Sequence, residues 1–354
     1  MTDVVSPPAS YISPLLALTG GVTLPGPDAG IAAHYGDFVR EQRAMVDGVG
    51  VVDRSNRGLL TVLGEDRLSW LHSLTTQHLT DLGDGAGAQA LTLSPNGHIE
   101  HHLQLADLSG TTWVDLEPGD AAPTAEFLRR MRFMLRVDVV DESAGYGQLT
   151  ICGPGTDALL RGLEIDVLQR DWAATGTPWG GYARRLPWPG DGAVDLVVAA
   201  SELSEVWRAL TGAGAVPAGT WAWDALRVAA RRPRLGCETD HRTIPNESEW
   251  LQAAVHLQKG CYRGQETVAR VNNLGRPPRR LVLLHLDGST NDLPVHGSDV
   301  TVDGVRVGFI TSSARHHELG PIGLAMVKRN TADDASLLVG DISAAIEPAE
   351  PTSG

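Results

Sequence analysis

Cysteine is scarce: Cys152, Cys237 and Cys261 are the only three in 354 residues, widely spaced and odd in number. That usage belongs to a reducing compartment and argues against a disulfide framework. Long apolar runs are missing too, and no stretch approaches the roughly 20 residues of a membrane-spanning helix. No Lys or Arg precedes Arg40. The start of the chain therefore has neither the charged region of a secretory signal nor the Arg-rich face of a transit peptide, and a cytoplasmic setting is expected. Positive charge is in short supply: 29 Lys and Arg stand against 43 Asp and Glu, a formal −14 with a pI near 5.2. This balance favours solubility and argues against direct nucleic-acid binding. No HExxH or CxxC pair occurs, and Cys237, His241 and Cys261 form only a loose soft-ligand trio, so no metal is expected. His98, His101 and His102 do not change this, because strand alternation sends His101 and His102 to opposite faces.

What is present suits a mixed α and β chain, with 40 glycines, 21 prolines and an apolar fraction of 42%. Residues 1–29, rich in Pro, Gly, Ser and Thr, read as a flexible arm. An amphipathic helix is expected over 31–46, strands over 49–52 and 58–63, and a helix opened by Asp66. Strands over 88–93 and 99–106 flank Asn96-Gly97, a strong hairpin signal. A strand at 112–116 and a helix at 124–135 follow. Strands at 137–140, 146–152 and 194–199, with helices at 156–162 and 201–213, suggest a second α/β unit, while the Pro/Gly/Trp-rich piece 175–191 reads mostly as loop. A helix over 222–231 precedes the densest stretch of the chain. The prolines at 277 and 278 end the 30–274 module. Short strands then fill 275–350, with Asp303-Gly304 as a hairpin turn, and predict a small antiparallel barrel.

Lys259-Gly260-Cys261-Tyr262-Arg263-Gly264-Gln265-Glu266 is that densest stretch, running on to Arg270. Flanking cations and a helix beginning near Gly264 would favour the Cys261 thiolate, the nucleophilic form. The ordinary alternative is a small buried cysteine in a tight turn. Gln265 and Glu266 offer an amide and a carboxylate suited to a flat heterocycle, or simply a helix's first turn. Trp221 and Trp223 offer stacking surfaces. Arg227, Arg231, Arg232 and Arg234, with Arg276, Arg279 and Arg280, read either as anion-binding clusters or as exposed faces.

This octapeptide resembles the signature of the YgfZ family, folate-binding proteins related to the glycine-cleavage T-protein (aminomethyltransferase). Asp224-Ala225-Leu226-Arg227, Arg232-Pro233-Arg234-Leu235-Gly236 and Arg242-Thr243-Ile244-Pro245-Asn246-Glu247 precede it in the family's order, and Val52-Asp53-Arg54-Ser55 matches near the start. The resemblance implies an α+β fold with interwoven α/β domains around a central cavity and a C-terminal β-barrel. It implies a tetrahydrofolate cofactor, a role in iron–sulfur cluster assembly or repair with client proteins as partners, and an indirect effect on tRNA modification. Cys261 and Lys259 would be the reactive pair; Tyr262, Gln265, Glu266, Arg227, Trp223 and Arg270 would contact the folate. Two departures stand out. The T-protein pattern G-G-I-x-D-D appears here as Gly97-His98-Ile99-Glu100-His101-His102, and its L-R-x-E-A-G pattern places Ala229 where a glutamate is expected. Aminomethyl transfer, the alternative function, loses its expected carboxylates at both places.

Overall fold

A computed structural model describes residues 11–166, 168–189, 192–289 and 292–348. Gly50–Asp53, buried at every position, starts a six-stranded sheet. It pairs in parallel with Val216–Ala218 and antiparallel with Tyr146–Cys152. Val194–Ala199, Tyr182–Arg185 and Ala174–Gly176 complete that sheet. Between its first two strands in sequence, the chain leaves to build a five-stranded antiparallel sheet. The spatial order there is Ala86–Leu93, Ile99–Leu108, Thr111–Leu116, Gly58–Leu63, Asp138–Asp141. The two α/β units are thus interwoven, as the resemblance implies.

Each sheet is covered on one face by helices whose apolar stripe enters its core. Leu159, Leu160, Val206, Trp207 and Leu210 cover the first sheet; Trp70, Leu71, Phe127 and Leu128 cover the second. Leu59 and Ala106 of the second sheet meet Tyr182 and Val197 of the first. The C-terminal strands close into a six-stranded barrel ordered Arg279–Leu286, Gly320–Lys328, Val305–His316, Asp299–Val302, Leu337–Val339, Ile342–Ile346. Its hairpin turn has positive φ at both Asp303 and Gly304, the backbone that an Asp-Gly pair favours. The helix Thr220–Ala229 presses Ala225 and Val228 against Leu283, Ala314, Ile322 and Leu324 of the barrel. Among the described residues, no helix is long and apolar enough to cross a membrane.

Several local expectations change. The helix expected over 31–46 runs Phe38–Asp47, because the Asp37 carboxylate accepts from Arg40 N at 3.0 Å and fixes its start. The helix expected to reach Leu135 ends at Arg130. The supposed loop 175–191 contains Tyr182–Arg185, a fully buried strand held between two partners; Asp191 lies outside the described residues. The supposed arm is held along 11–29: Leu15 enters the first core, Ser13 Oγ donates to Asp53 at 2.5 Å, and Asp28 pairs with Arg234. Residues 1–10 of the arm, and 349–350 at the end of the barrel span, lie outside the described residues.

Candidate functional site

A narrow cavity of about 30 Å³, open to solvent at its mouth, lies where both sheets meet the helix Thr220–Ala229. Strand alternation aims His102 and Gln104 at it from one face of Ile99–Leu108, with Gln89 opposite on the neighbouring strand. Its walls carry three indoles. Trp188 and Trp223 lie 4.8 Å apart between ring centres, and Trp250 sits 5.0 Å from the His102 ring. His102 Nε2 meets Gln89 Oε1 at 2.8 Å, and burial pulls its pKa down to about 4, so this imidazole is neutral at pH 7. His101 points the other way, to Asp120 and Thr124.

Beneath the cavity runs an unbroken chain of buried charges: Asp195, Arg184, Asp115, Arg57, Glu117, Arg234, Asp28. Arg184 reaches Asp195 and Asp115 at 2.7 Å each, and Arg57 reaches Asp115 at 2.5 Å and Glu117 at 2.9 Å. Arg234 closes on Glu117 and Asp28 at 2.6 Å each. The surrounding guanidiniums, Arg234 and Arg57 foremost, hold Glu117 well below the usual carboxylate range despite its burial. Glu117 and Glu249, the two carboxylates that line the cavity, are thus both paired, the latter with Arg232 at 2.5 Å.

Arg54 is the exception. It also lines the cavity, with only 9% of its surface exposed. Its guanidinium carbon lies 4.7 Å from the centre of the Trp223 ring, a cation–π contact worth about 0.5–2 kcal/mol. Among the described residues its side chain makes no hydrogen bond or ion pair, although a guanidinium carries five N–H donors. Burial lowers its pKa to about 10, which leaves it charged at neutral pH.

The signature loop lies apart from this cavity. Of the eight expected site residues, Trp223 and Arg227 line the cavity and the other six do not. Arg227 is committed to Asp224 at 2.8 Å, Glu238 at 2.9 Å and Ser312 at 2.9 Å, so its fork is not available to an anion. Tyr262 is buried with Leu91, Leu93, Ile99, Trp250 and Val268 and anchors the loop. Gln265 Nε2 donates to Lys259 O at 3.3 Å and Gly260 O at 3.5 Å, bracing the loop from within. Glu266 and Arg270 face solvent on the helix Gln265–Leu274. Lys259 is buried, its ammonium donating to the carbonyls of His72, Thr75 (2.6 Å) and Gln77 (2.9 Å). It caps the C-terminal end of the helix Arg67–Leu74, a structural job, with burial lowering its pKa to about 8. Arg263 pairs with Glu100 at 3.2 Å.

Cys261 is exposed, while burial pushes the thiols of Cys152 and Cys237 up to about 12. It is therefore the most exposed of the three, with Cys237 half-buried, and the buried-cysteine alternative does not hold for it. No cluster of three or more metal-ligating side chains occurs among the described residues. Most of the clustered arginines are likewise engaged within the protein: Arg234 and Arg232 as above, Arg231 on the carbonyls of Glu347 and Pro348, Arg279 on Asp240 and Glu247, Arg280 on Asp333, while Arg276 is exposed. Trp221 is largely exposed beside His34 and Phe38, outside the cavity. Ala229 packs on the barrel. Sequence reasoning missed Arg54, Gln89, Gln104, Glu117, Trp188, Glu249 and Trp250 as cavity residues. The available signal was charge inside apolar strands, as with Asp115 and Asp195.

Residues 31–259 match the GCVT N-terminal domain, and residues 279–351 match the glycine cleavage T-protein C-terminal barrel domain. An aminomethyltransferase of Rubrobacter xylanophilus is 30% identical over 86% of this chain and 83% of its own length. A chloroplastic protein of Arabidopsis thaliana, provisionally named a transferase, is 28% identical over 82% of this chain and 67% of its own. The fold matches that of the glycine cleavage system aminomethyltransferase T from Bartonella henselae, with a TM-score of 0.84 at 18% identity over 94% of both chains. Two matched domains that together account for both α/β units and the barrel show that the chain belongs to the glycine cleavage T-protein family.

Proposed function

We propose that this protein binds a folate in the indole-lined cavity and uses Cys261, outside that cavity, to support iron–sulfur cluster assembly or repair in client proteins. The separation of the accessible thiol from the cavity carries this reading. A transferase needs its reacting groups around one ligand, whereas here the exposed sulfur faces solvent and potential partners. Side chains must part for a ring to enter a space of about 30 Å³, but the lining suits a flat, bicyclic ligand: indole walls, a neutral imidazole, and a guanidinium with no protein partner. Proton transfer in the cavity is poorly provided for: arginines hold Glu117 ionised, His102 takes the position of an expected acid, and Glu249, although burial raises its pKa, is tied to Arg232. The YgfZ-like signature supports the narrower role, and an effect on tRNA modification would follow through cluster-dependent enzymes. A reducing cytosol fits three free thiols.

Cells lacking the protein and complemented with Cys261→Ala are expected to lose activity of cluster-dependent enzymes, while the purified variant keeps its affinity for tetrahydrofolate and 5-formyltetrahydrofolate in calorimetric titration. Full complementation by the variant overturns the role given to the thiol. The second reading, aminomethyl transfer, is favoured by the names of relatives near 30% identity. Turnover of an aminomethyl donor in the presence of tetrahydrofolate would establish it over the first.

A further inference from the structure

The charges under the cavity do not balance by themselves. Four carboxylates (Asp195, Asp115, Glu117, Asp28) alternate with three guanidiniums (Arg184, Arg57, Arg234), leaving one negative charge in excess. Arg54 restores neutrality, acting on Asp195, Glu117 and Asp115 through space without touching them. Its charge is therefore used, while its hydrogen bonds are not. None of the fork's nitrogens is shut off from the cavity, so water is left to take them and a ligand that displaces it must offer acceptors in its place. The guanidinium lies over the Trp223 ring, whose other aromatic neighbour is Trp188, so the fork is held in place with its N–H edge left for a ligand in the cavity.

An anionic ligand on Arg54 would restore the excess negative charge in a buried, low-dielectric place. A neutral ligand with two neighbouring acceptors would satisfy the fork and leave the balance intact. Guanidinium forks read such an edge in nucleic acids, where arginine takes the carbonyl oxygen and adjacent ring nitrogen of guanine. Resting on the folate reading above, we infer that Arg54, held over Trp223, donates its fork edge-on to the adjacent carbonyl and unprotonated ring nitrogen of an uncharged pteridine in the cavity. The cavity then prefers a pteridine whose N5 bears no hydrogen, as in the oxidised and 7,8-dihydro forms, over the tetrahydro form, in which N5–H removes one acceptor.

The test titrates the full chain, following tryptophan fluorescence and heat, with pterin, with tetrahydropterin, and with p-aminobenzoylglutamate, which has carboxylates but no pteridine. Pterin is expected to bind about tenfold or more tighter than tetrahydropterin, the worth of one hydrogen bond to a charged donor. Arg54→Lys keeps the charge and loses the fork. It is expected to weaken pterin at least about tenfold, to erase the difference between the two pterins, and to melt with the parent protein. Unchanged pterin affinity in Arg54→Lys overturns the inference and leaves Arg54 as a charge balancer. Binding of p-aminobenzoylglutamate that depends on Arg54 also overturns it, assigning the fork to a carboxylate. If tetrahydrofolate binds and Arg54→Lys weakens it as much as it weakens pterin, the folate reading stands and this inference falls. If no folate or pterin binds, both fall.

Discussion

His102 lies buried between Gln89 and Trp250, with its pKa drawn down to about 4 from the usual 6.5. The sign of its effect on stability follows directly. Between those values the unfolded chain takes up a proton at this position and the folded protein does not, so its contribution is intact above pH 6.5 and falls as pH drops towards 4. The loss is on the order of 3 kcal/mol over the full window, at about 1.36 kcal/mol per pKa unit. Urea midpoints at pH 7 and pH 4.5 should therefore differ, and His102→Gln should flatten that difference. The buried acids Asp28 and Asp195, held below their ordinary values, resist protonation to lower pH, so their losses fall in a separate, more acidic window. Lys259 and Cys261 are a second lesson at this scale. They are neighbours in the signature, yet one ammonium is enclosed by three carbonyls and the thiol beside it is open to solvent.

Turns explain how the signature loop is seated. Gly264 has φ +80°, and a Cβ built there would lie 2.5 Å from Ser94 O and 2.8 Å from Gly97 Cα. The hairpin Asn96-Gly97 and the start of the helix Gln265–Leu274 therefore interlock through two glycines. Gly264→Ala is expected to cost about 2 kcal/mol or more and to free the loop, read as a lowered urea midpoint and faster proteolysis near Cys261. Much of this level was legible beforehand. The Asn-Gly and Asp-Gly turns, the helix beginning after Gly264, and the barrel following the prolines all rest on local chemistry, and the structure contains them. The strand Tyr182–Arg185 was not legible, because its burial comes from neighbours distant in sequence rather than from its own pattern. The site divides along the same line. Trp223 and Arg227 follow from one helix, whereas Arg54, Gln89 and Glu117 reach the cavity only once two sheets have met. Sequence adjacency to Cys261 drew Tyr262, Gln265, Glu266 and Arg270 into the expected folate contacts, and none of the four lines this cavity.

Across the whole molecule, the seven-residue charge chain ties the first sheet, the second sheet, the segment after the helix Thr220–Ala229, and Asp28 near the start. Six of its seven members are almost fully enclosed, with Arg184 at 0% exposure and Asp28 at the end half-buried, so salt should screen it little. Arg184→Met would leave Asp115 and Asp195 facing each other without their shared cation, and a loss of about 3–5 kcal/mol is expected. Thermal melting of this variant and of Arg184→Met with Asp195→Asn gives the check. The second variant removes one stranded charge and should recover part of the loss. A melting temperature unaltered by Arg184→Met would mean that the chain contributes no net cohesion.

The interleaved path of the strands has a consequence in time. Every strand of the second sheet lies within residues 58–141, so that sheet can form as soon as this segment is available. Gly50–Asp53 must wait for partners at 146–152 and 216–218, and Arg234 then reaches back 206 positions to Asp28. Because distant pairings form late and loop closure slows them, refolding should proceed in two stages. Pulse-labelled hydrogen exchange should protect amides of 58–63 and 111–116 before those of 50–53. Until the second stage, the Trp223 wall has no Arg54 against it, so the ability to hold a ligand should emerge last, together with the closing of the N-terminal segment.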